Sequence, residues 1–155
     1  MTTQDADQQA ARDPAADVVS VTLHSDPRYL PLVRSLADEG AAMAGFDEQA
    51  RHGIIVAVTE AHTNVIRHVY GGATDRRIDV LLHNQPGRFH LEIVDYGEYV
   101  SPDKIASRPL DEVRPGGLGV HLIKSTMDEV HYRKNAHGGT SLTLIKCPEH
   151  EREPS

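Results

Sequence analysis

Aromatic residues and cysteine are scarce in this sequence, and both shortages narrow the class of protein. There is no Trp, there are 2 Phe, and the single cysteine, Cys147, excludes an internal disulfide. No apolar run approaches the roughly 20 residues of a membrane-spanning helix, and the N-terminus has no apolar signal core. We therefore expect a cytoplasmic protein that does not span a membrane.

Positive charge is also in short supply. The chain has 16 Lys and Arg against 23 Asp and Glu, a formal net charge of −7, and it has no long basic cluster. Proteins that neutralise phosphates usually show a basic patch or stripe, so direct nucleic-acid binding is not expected. The 10 histidines never adopt the His-Glu-x-x-His spacing of a zinc helix, and we interpret them as scattered surface residues.

The length and the distribution of apolar residues predict one domain with two short tails. A chain of 155 residues has room for one ordinary core. Residues 1–17 show no apolar periodicity and cannot offset the entropy of ordering, so they are predicted to form a disordered tail. The domain is predicted to span residues 18–147, followed by a polar tail over 148–155.

Hydrophobic periods and turn residues predict an α+β fold. Strands are expected at 18–23, 77–83, 88–94, 130–133 and 140–146. Helices are expected from the Pro27–Pro31 region to about Gly45, from Asp47 to Gly71-Gly72, and over 118–127, the last with Leu118, Leu122 and Ser125 inward. This order predicts a two-layer sandwich with helices on one face of a mixed, mostly antiparallel sheet.

The second helix carries a polar pair beside its apolar stripe. Apolar residues recur at intervals of three and four between positions 54 and 69, which is the period of a helix with one buried face. Glu60 and Asn64 are four residues apart and lie on the flank of that stripe. Taken alone, such a pair is usually solvated surface, but this position also allows it to line a pocket.

Three glycine-bearing segments follow downstream. Asp95-Tyr-Gly97 comes just after a predicted strand, and Gly116-Gly117-Leu-Gly119 opens a predicted helix whose free N–H groups could hold phosphate oxygens. Gly138-Gly139-Thr140 precedes the last strand. Each segment also has a plain interpretation, as a turn, a loop end or a hairpin.

In combination, from about Val18 to Cys147, these segments resemble the small anti-sigma-factor serine kinases. That family is a branch of the GHKL ATPases, which include histidine-kinase catalytic domains, gyrase and Hsp90 and share the Bergerat ATP-binding fold. Four stretches carry the resemblance, and they begin at Glu60, Asp95, Gly116 and Gly139. The first continues as Ala-His-Thr-Asn64, the second as Tyr-Gly97-Glu, the third as Gly117-Leu-Gly119, and the fourth as Thr140-Ser-Leu-Thr-Leu.

The resemblance implies roles for the polar pair. Glu60 would be the general base that takes the proton from an acceptor serine. Asn64 would bind Mg²⁺ through its amide oxygen, which is a hard ligand for a hard cation. ATP and Mg²⁺ are therefore the implied ligands.

The resemblance also implies a nucleotide pocket. Asp95 would accept a hydrogen bond from the adenine amino group with help from Thr140, and Gly97 would leave room for the ring. Gly117 and Gly119 would bring main-chain N–H groups to the phosphates. Residues 100–116 would act as a lid.

The function implied is that of an anti-sigma factor that is also an ATP-dependent serine kinase. Its implied partners are a sigma factor and an anti-sigma-factor antagonist with a STAS-type domain, and related proteins imply a homodimer. The alternative is a non-catalytic nucleotide-binding switch module that sequesters a transcription regulator. Tyr99 favours this alternative, because it replaces the second glycine of the usual Asp-x-Gly-x-Gly adenine box.

Overall fold

The computed structural model describes residues 17–99 and 115–148, without the side chains of residues 115–119. The predicted tails before Asp17 and after Pro148 and most of the predicted lid lie outside the described residues. Within the described ranges, no helix is long and apolar enough to cross a bilayer.

Five strands form one sheet in the order β1-β2-β3-β5-β4. All four pairings between neighbouring strands are antiparallel. In β2 and β3 Gln85 pairs with Arg88, so the turn consists of Pro86 and Gly87, the latter with φ of 70°. The predicted hairpin is thus present. The strands are β1 (Val18–His24), β2 (Arg77–Gln85), β3 (Arg88–Asp95), β4 (Glu129–Lys134) and β5 (Thr140–Lys146).

The helices begin and end close to the positions predicted from their capping residues. Asp47 accepts a hydrogen bond from the N–H of Ala50 at 2.9 Å and caps the second helix. That helix does not stay α-helical to Gly71-Gly72, because its last turn widens into a π-helical turn. The elements are a 3₁₀ turn (Pro27–Tyr29), α1 (Leu30–Met43), α2 (Glu48–Asn64), the π-helical turn (Val65–Val69) and α3 (Pro115–Thr126).

The core lies between the helices and one face of the sheet. Strand β3 shows this face clearly, since Phe89, Leu91, Ile93 and Asp95 are buried and the residues between them are only half-buried. The predicted stripe is buried at Ile54, Val58 and Ala61 of α2 and at Val65 of the π-helical turn. The predicted α+β sandwich is therefore confirmed.

The prediction that Leu122 and Ser125 face inward on α3 is wrong, and the side chain of Leu118, the third predicted residue, lies outside the described part of the chain. Ile123 and Met127 are buried, whereas Leu122 is 37% exposed and Ser125 is exposed. The sequence offers two apolar pairs at helical spacing, and the packing surface selects one of them. The face that carries Ile123 and Met127 packs into the core, and Thr126 lies against Gly53 of α2.

His62 corrects the interpretation of the histidines as surface residues. It is fully buried, and among the described residues neither ring nitrogen has a hydrogen-bond partner. Burial lowers the pKa of His62 to about 4. Helix α2 packs against both α1 and α3, so its buried arc is wider than a single apolar stripe.

Candidate functional site

Asp95 is the buried carboxylate at the end of β3, and it is 2% exposed. Its Oδ1 accepts hydrogen bonds from the main-chain N–H groups of Gly97 and Thr140, both at 3.1 Å. Among the described residues, no hydrogen bond reaches Oδ2. Burial raises the pKa of Asp95, while the two N–H donors act in the opposite direction. The fold therefore fixes one oxygen and leaves the other available to a donor such as an adenine amino group.

Glu60 and Asn64 lie in the last two turns of α2, and both are partly exposed. Within residues 17–99 and 115–148, no hydrogen bond or ion pair engages either side chain. A partly exposed carboxylate and carboxamide one turn apart can serve as a base and as an oxygen ligand for a metal ion. The structure is compatible with their predicted roles and leaves those roles as predictions.

The chain just after Asn64 is in direct contact with the chain just after Asp95. Tyr70, which follows the π-helical turn, accepts the N–H of Tyr96 with its hydroxyl at 2.7 Å. A Cβ added at Gly97 would come within 2.2 Å of Val69 Cγ1. Gly97 is thus needed for close packing against the π-helical turn, in addition to its predicted role beside the ring.

The turn between β4 and β5 holds Asp95 from the other side. A Cβ added at Gly139 would lie 2.3 Å from the carbonyl oxygen of Asp95 and 2.7 Å from its Oδ1. Only glycine allows this approach, which brings the N–H of Thr140 to the carboxylate. The structure therefore brings together three of the predicted residues: Asp95, Gly97 and Thr140.

The predicted phosphate glycines, Gly117 and Gly119, lie in the first two turns of α3. The C-terminal end of α3 contacts Gly53 near the start of α2, and the two helices pack side by side. A helix N-terminus offers free N–H groups, which suit phosphate oxygens.

Tyr99 is half-buried, and its N–H donates to the carbonyl of Gly138 at 3.0 Å. The residue that departs from the family pattern therefore fixes the loop after Asp95 to the β4–β5 turn. A cavity of about 470 Å³ opens nearby and is lined in part by Tyr70, Arg77 and Tyr96. Because neither Asp95 nor Glu60 lines this cavity, we do not assign it to the nucleotide.

Two residues of this site had not been identified from the sequence, Tyr70 and Asn135. The side chain of each forms a hydrogen bond with a main-chain group next to the Asp95 carboxylate, and each residue is distant from Asp95 in the sequence. The only sequence signals are weak: Tyr70 stands just before Gly71-Gly72 at a helix end, and Asn135 stands in a predicted turn. Neither pattern identifies a distant partner.

Comparison with known proteins assigns most of the chain to one family. Residues 23–146 match the histidine kinase-like ATPase domain family. The chain is similar to the serine-protein kinase RsbW of Bacillus velezensis, at 25% identity over 146 residues, covering 89% of this chain and 90% of the relative. It is also similar to RsbW of Listeria innocua, at 29% identity over 139 residues, covering 84% of this chain and 87% of the relative.

A solved structure shares the fold. The crystal structure of the RsbU and RsbW domains of a Mycobacterium tuberculosis protein matches with a TM-score of 0.56 at 21% identity. The match covers 84% of this chain and 32% of that longer chain. At this identity the likeness supports the fold alone.

Proposed function

Because the chain belongs to the histidine kinase-like ATPase domain family, we propose that it is an ATP-dependent protein-serine kinase and an anti-sigma factor. In this proposal it binds a sigma factor and phosphorylates a serine of an anti-sigma-factor antagonist with a STAS-type domain. Relatives named serine-protein kinase over most of their length support the kinase part. The motifs that resemble the anti-sigma kinases support the two partners.

The observation that carries the proposal is the state of Asp95. Asp95 is 2% exposed as a whole residue, and the described part of the fold holds only one of its two carboxylate oxygens. Here two main-chain N–H groups hold Oδ1, and no described residue donates to Oδ2. That arrangement suits an acceptor for the amino group of adenine, at the position where the family resemblance expects one.

Glu60 supports a kinase over a simple nucleotide binder. A carboxylate with no partner in the described structure has no evident structural role there. As a general base it would accept the proton of the acceptor serine during transfer of the γ-phosphate. Asn64, one turn further along α2, would ligate Mg²⁺, which neutralises charge on the phosphates when bound.

Tyr99 favours the second candidate, a non-catalytic nucleotide-binding switch that sequesters a transcription regulator. Its main chain is fixed to Gly138, and its side chain occupies a position where the family usually has glycine. This departure from the family pattern is what supports a switch without catalysis. In that case nucleotide binding controls a protein surface and no phosphate is transferred.

Phosphate transfer from γ-labelled ATP with Mg²⁺ to a candidate antagonist domain separates the two functions. The wild type should produce phosphoserine on the antagonist, and Glu60→Gln should not. The matched control is Glu48→Gln, an exposed glutamate about 18 Å away along the axis of the same helix, which should transfer phosphate normally. Wild-type protein that binds ATP and the sigma factor but labels no partner would instead establish the switch module.

We also propose a homodimer that works in the cytoplasm. The basis is the resemblance to the anti-sigma kinases, for which a dimer is the default. Sedimentation velocity on the full chain tests this assembly directly. A single species at the monomer mass of 17.0 kDa, with and without ATP, would contradict it.

A further inference from the structure

Tyr70 connects three parts of the chain that meet beside Asp95. Its hydroxyl donates to the carbonyl oxygen of Arg77 at the start of β2 at 2.5 Å and accepts the N–H of Tyr96 at 2.7 Å. Its ring lies 3.5 Å from the position that a Cβ on Gly97 would occupy. The hydroxyl is therefore fully used, as one donor and one acceptor, and both bonds hold main chain.

Asn135 makes a comparable set of bonds from the opposite side. Its Nδ2 donates to the carbonyl oxygen of Asp95 at 2.8 Å. Its Oδ1 accepts the N–H groups of His137 at 2.9 Å and Gly139 at 3.1 Å. One side chain thus shapes the β4–β5 turn and attaches that turn to the residue that bears the carboxylate.

The two side chains act on consecutive main-chain groups, the carbonyl of Asp95 and the N–H of Tyr96. These two groups belong to the same peptide unit. A peptide unit is planar, so fixing its oxygen and its nitrogen fixes the orientation of the whole unit. The orientation of this peptide unit and the two N–H donors to Oδ1 together set the direction of the Asp95 side chain.

We propose that Tyr70 and Asn135 are positioning residues for nucleotide recognition, which clamp the Asp95–Tyr96 peptide unit so that Oδ2 of Asp95 faces the adenine amino group. This inference rests on the function proposed above. Neither residue touches the nucleotide in this account. Tyr70 and Asn135 should raise the affinity for ATP, because a preorganised acceptor avoids the cost of ordering the loop when the ligand binds.

The test compares two conservative variants with two matched controls. Tyr70→Phe removes only the hydroxyl, and Asn135→Asp keeps the acceptor Oδ1 but removes the donor to Asp95. Their controls are Tyr132→Phe, whose partly buried hydroxyl bonds to no other described residue, and Asn84→Asp, an exposed site at the β2–β3 hairpin. All are measured at 25 °C, with melting curves to verify that each variant is folded.

The KM for ATP and the dissociation constant of ATP should each rise about tenfold in Tyr70→Phe and in Asn135→Asp, the effect of one or two neutral hydrogen bonds. The kcat at saturating ATP should stay within about twofold of the wild type, since the reacting groups are untouched. Amide exchange at Tyr96 and Gly97 should become faster in both variants without ligand. The two controls should match the wild type in every measurement.

The outcomes separate this inference from the function on which it rests. A wild type that fails to bind ATP would overturn both. A wild type that binds ATP, with variants whose KM is unchanged and whose melting temperature alone is lowered, would overturn the positioning role and leave the kinase proposal intact. A fall in kcat at unchanged KM would also contradict it, because it would place these residues in the chemical step.

Discussion

The carboxylate of Asp95 accepts a hydrogen bond from the main-chain N–H of Thr140 at 3.1 Å, although 45 positions separate the two residues in the chain. The bond joins the end of β3 to the start of β5. It exists because Gly139 has no side chain, so the two strands can approach closely at this point. The acceptor proposed for adenine is thus held by the sheet itself, and this placement determines how its substitution should behave.

Asp95→Asn should separate nucleotide recognition from folding. Asparagine keeps one oxygen for the N–H groups of Gly97 and Thr140, but it places an NH₂ group where Oδ2 lies. Two donors then face each other, so the affinity for ATP should fall about 10- to 100-fold. The free energy of unfolding should change by no more than about 1 kcal/mol, since a neutral amide is easier to bury than a carboxylate.

Calorimetric titration with ATP and with GTP, beside urea unfolding, measures both effects. Guanine carries a carbonyl where adenine carries its amino group, so the same variant should discriminate less against GTP than the wild type does. An Asp95→Asn protein that binds ATP with wild-type affinity would show that another group recognises the base.

Glu60 and Asn64 should affect different steps although they share one helix flank. Asn64→Ala removes the proposed Mg²⁺ ligand, so the apparent affinity for ATP in the presence of Mg²⁺ should fall. Glu60→Gln keeps that ligand and the shape of the side chain, so ATP should bind nearly as in the wild type. Phosphotransfer should nevertheless drop by about 100- to 10,000-fold, the usual effect of a lost general base.

Single-turnover kinetics with pre-bound ATP, combined with titrations at several Mg²⁺ concentrations, distinguish these two losses. The defect of Asn64→Ala should lessen as Mg²⁺ is raised, and that of Glu60→Gln should not. Equal loss of ATP binding and of transfer in Glu60→Gln would mean that Glu60 has a structural role.

Much of the fold was predictable from the sequence because it depends on neighbours in the chain. Asp47 caps α2 through an N–H three residues away, and Pro86-Gly87 closes a hairpin between two adjacent strands. Such signals are complete within a few residues. The inward face of α3 was not predictable in this way, because Leu122 and Ile123 are equivalent until the surface on which the helix packs is known.

The residues of the candidate site also differ in whether neighbouring residues in the sequence identify them. Asp95, Gly97 and Thr140 were identifiable because they belong to short motifs, and the structure brings them together. Tyr70 and Asn135 bond to main chain 26 and 40 positions away, and a main-chain partner leaves no mark in the sequence. The roles of Glu60 and Asn64 stay predictions, which the variants of these two residues test. The roles of Gly117 and Gly119 also stay predictions.

Gly97 and Gly139 should respond differently to alanine because their neighbours differ. At Gly97 the new methyl group meets the side chain of Val69 at 2.2 Å, whereas at Gly139 it meets the main-chain oxygen of Asp95 at 2.3 Å. A substitution can shorten the Val69 side chain, but no substitution removes the main-chain carbonyl of Asp95. Gly97→Ala should weaken ATP binding, and the double variant with Val69→Ala should recover most of that loss.

Gly139→Ala should weaken ATP binding and lower the melting temperature, with no recovery when Val69→Ala is added. Gly45→Ala is not a suitable control, since its φ of 94° strains any side chain. Gly53→Ala is suitable, because its Cβ would meet only Thr126, at an ordinary 3.5 Å. ATP titration and thermal melts of the single and double variants measure these effects, and equal recovery at both glycines would contradict the main-chain clash.

His62 should make the stability of the domain depend on pH below neutrality. Burial lowers its pKa to about 4, while in the unfolded chain it titrates at about 6.5. Between these values the unfolded chain binds a proton that the folded chain does not. The free energy of unfolding should therefore fall as the pH is lowered from about 6.5 to about 4, by up to about 3 kcal/mol, with no such contribution above that window.

Urea unfolding at a series of pH values, for the wild type and for His62→Leu, isolates this contribution. Leucine has a similar volume and no titration, so the difference between the two proteins should be constant above about pH 6.5 and should shift in favour of the variant as the pH falls. His52→Gln, at an exposed histidine of the same helix, is the matched control and should keep the wild-type pH dependence. Parallel pH profiles for the wild type and His62→Leu would contradict this prediction. They would mean that the His62 ring is hydrated or paired in solution, so that its protonation does not destabilise α2, the helix that also carries Glu60 and Asn64.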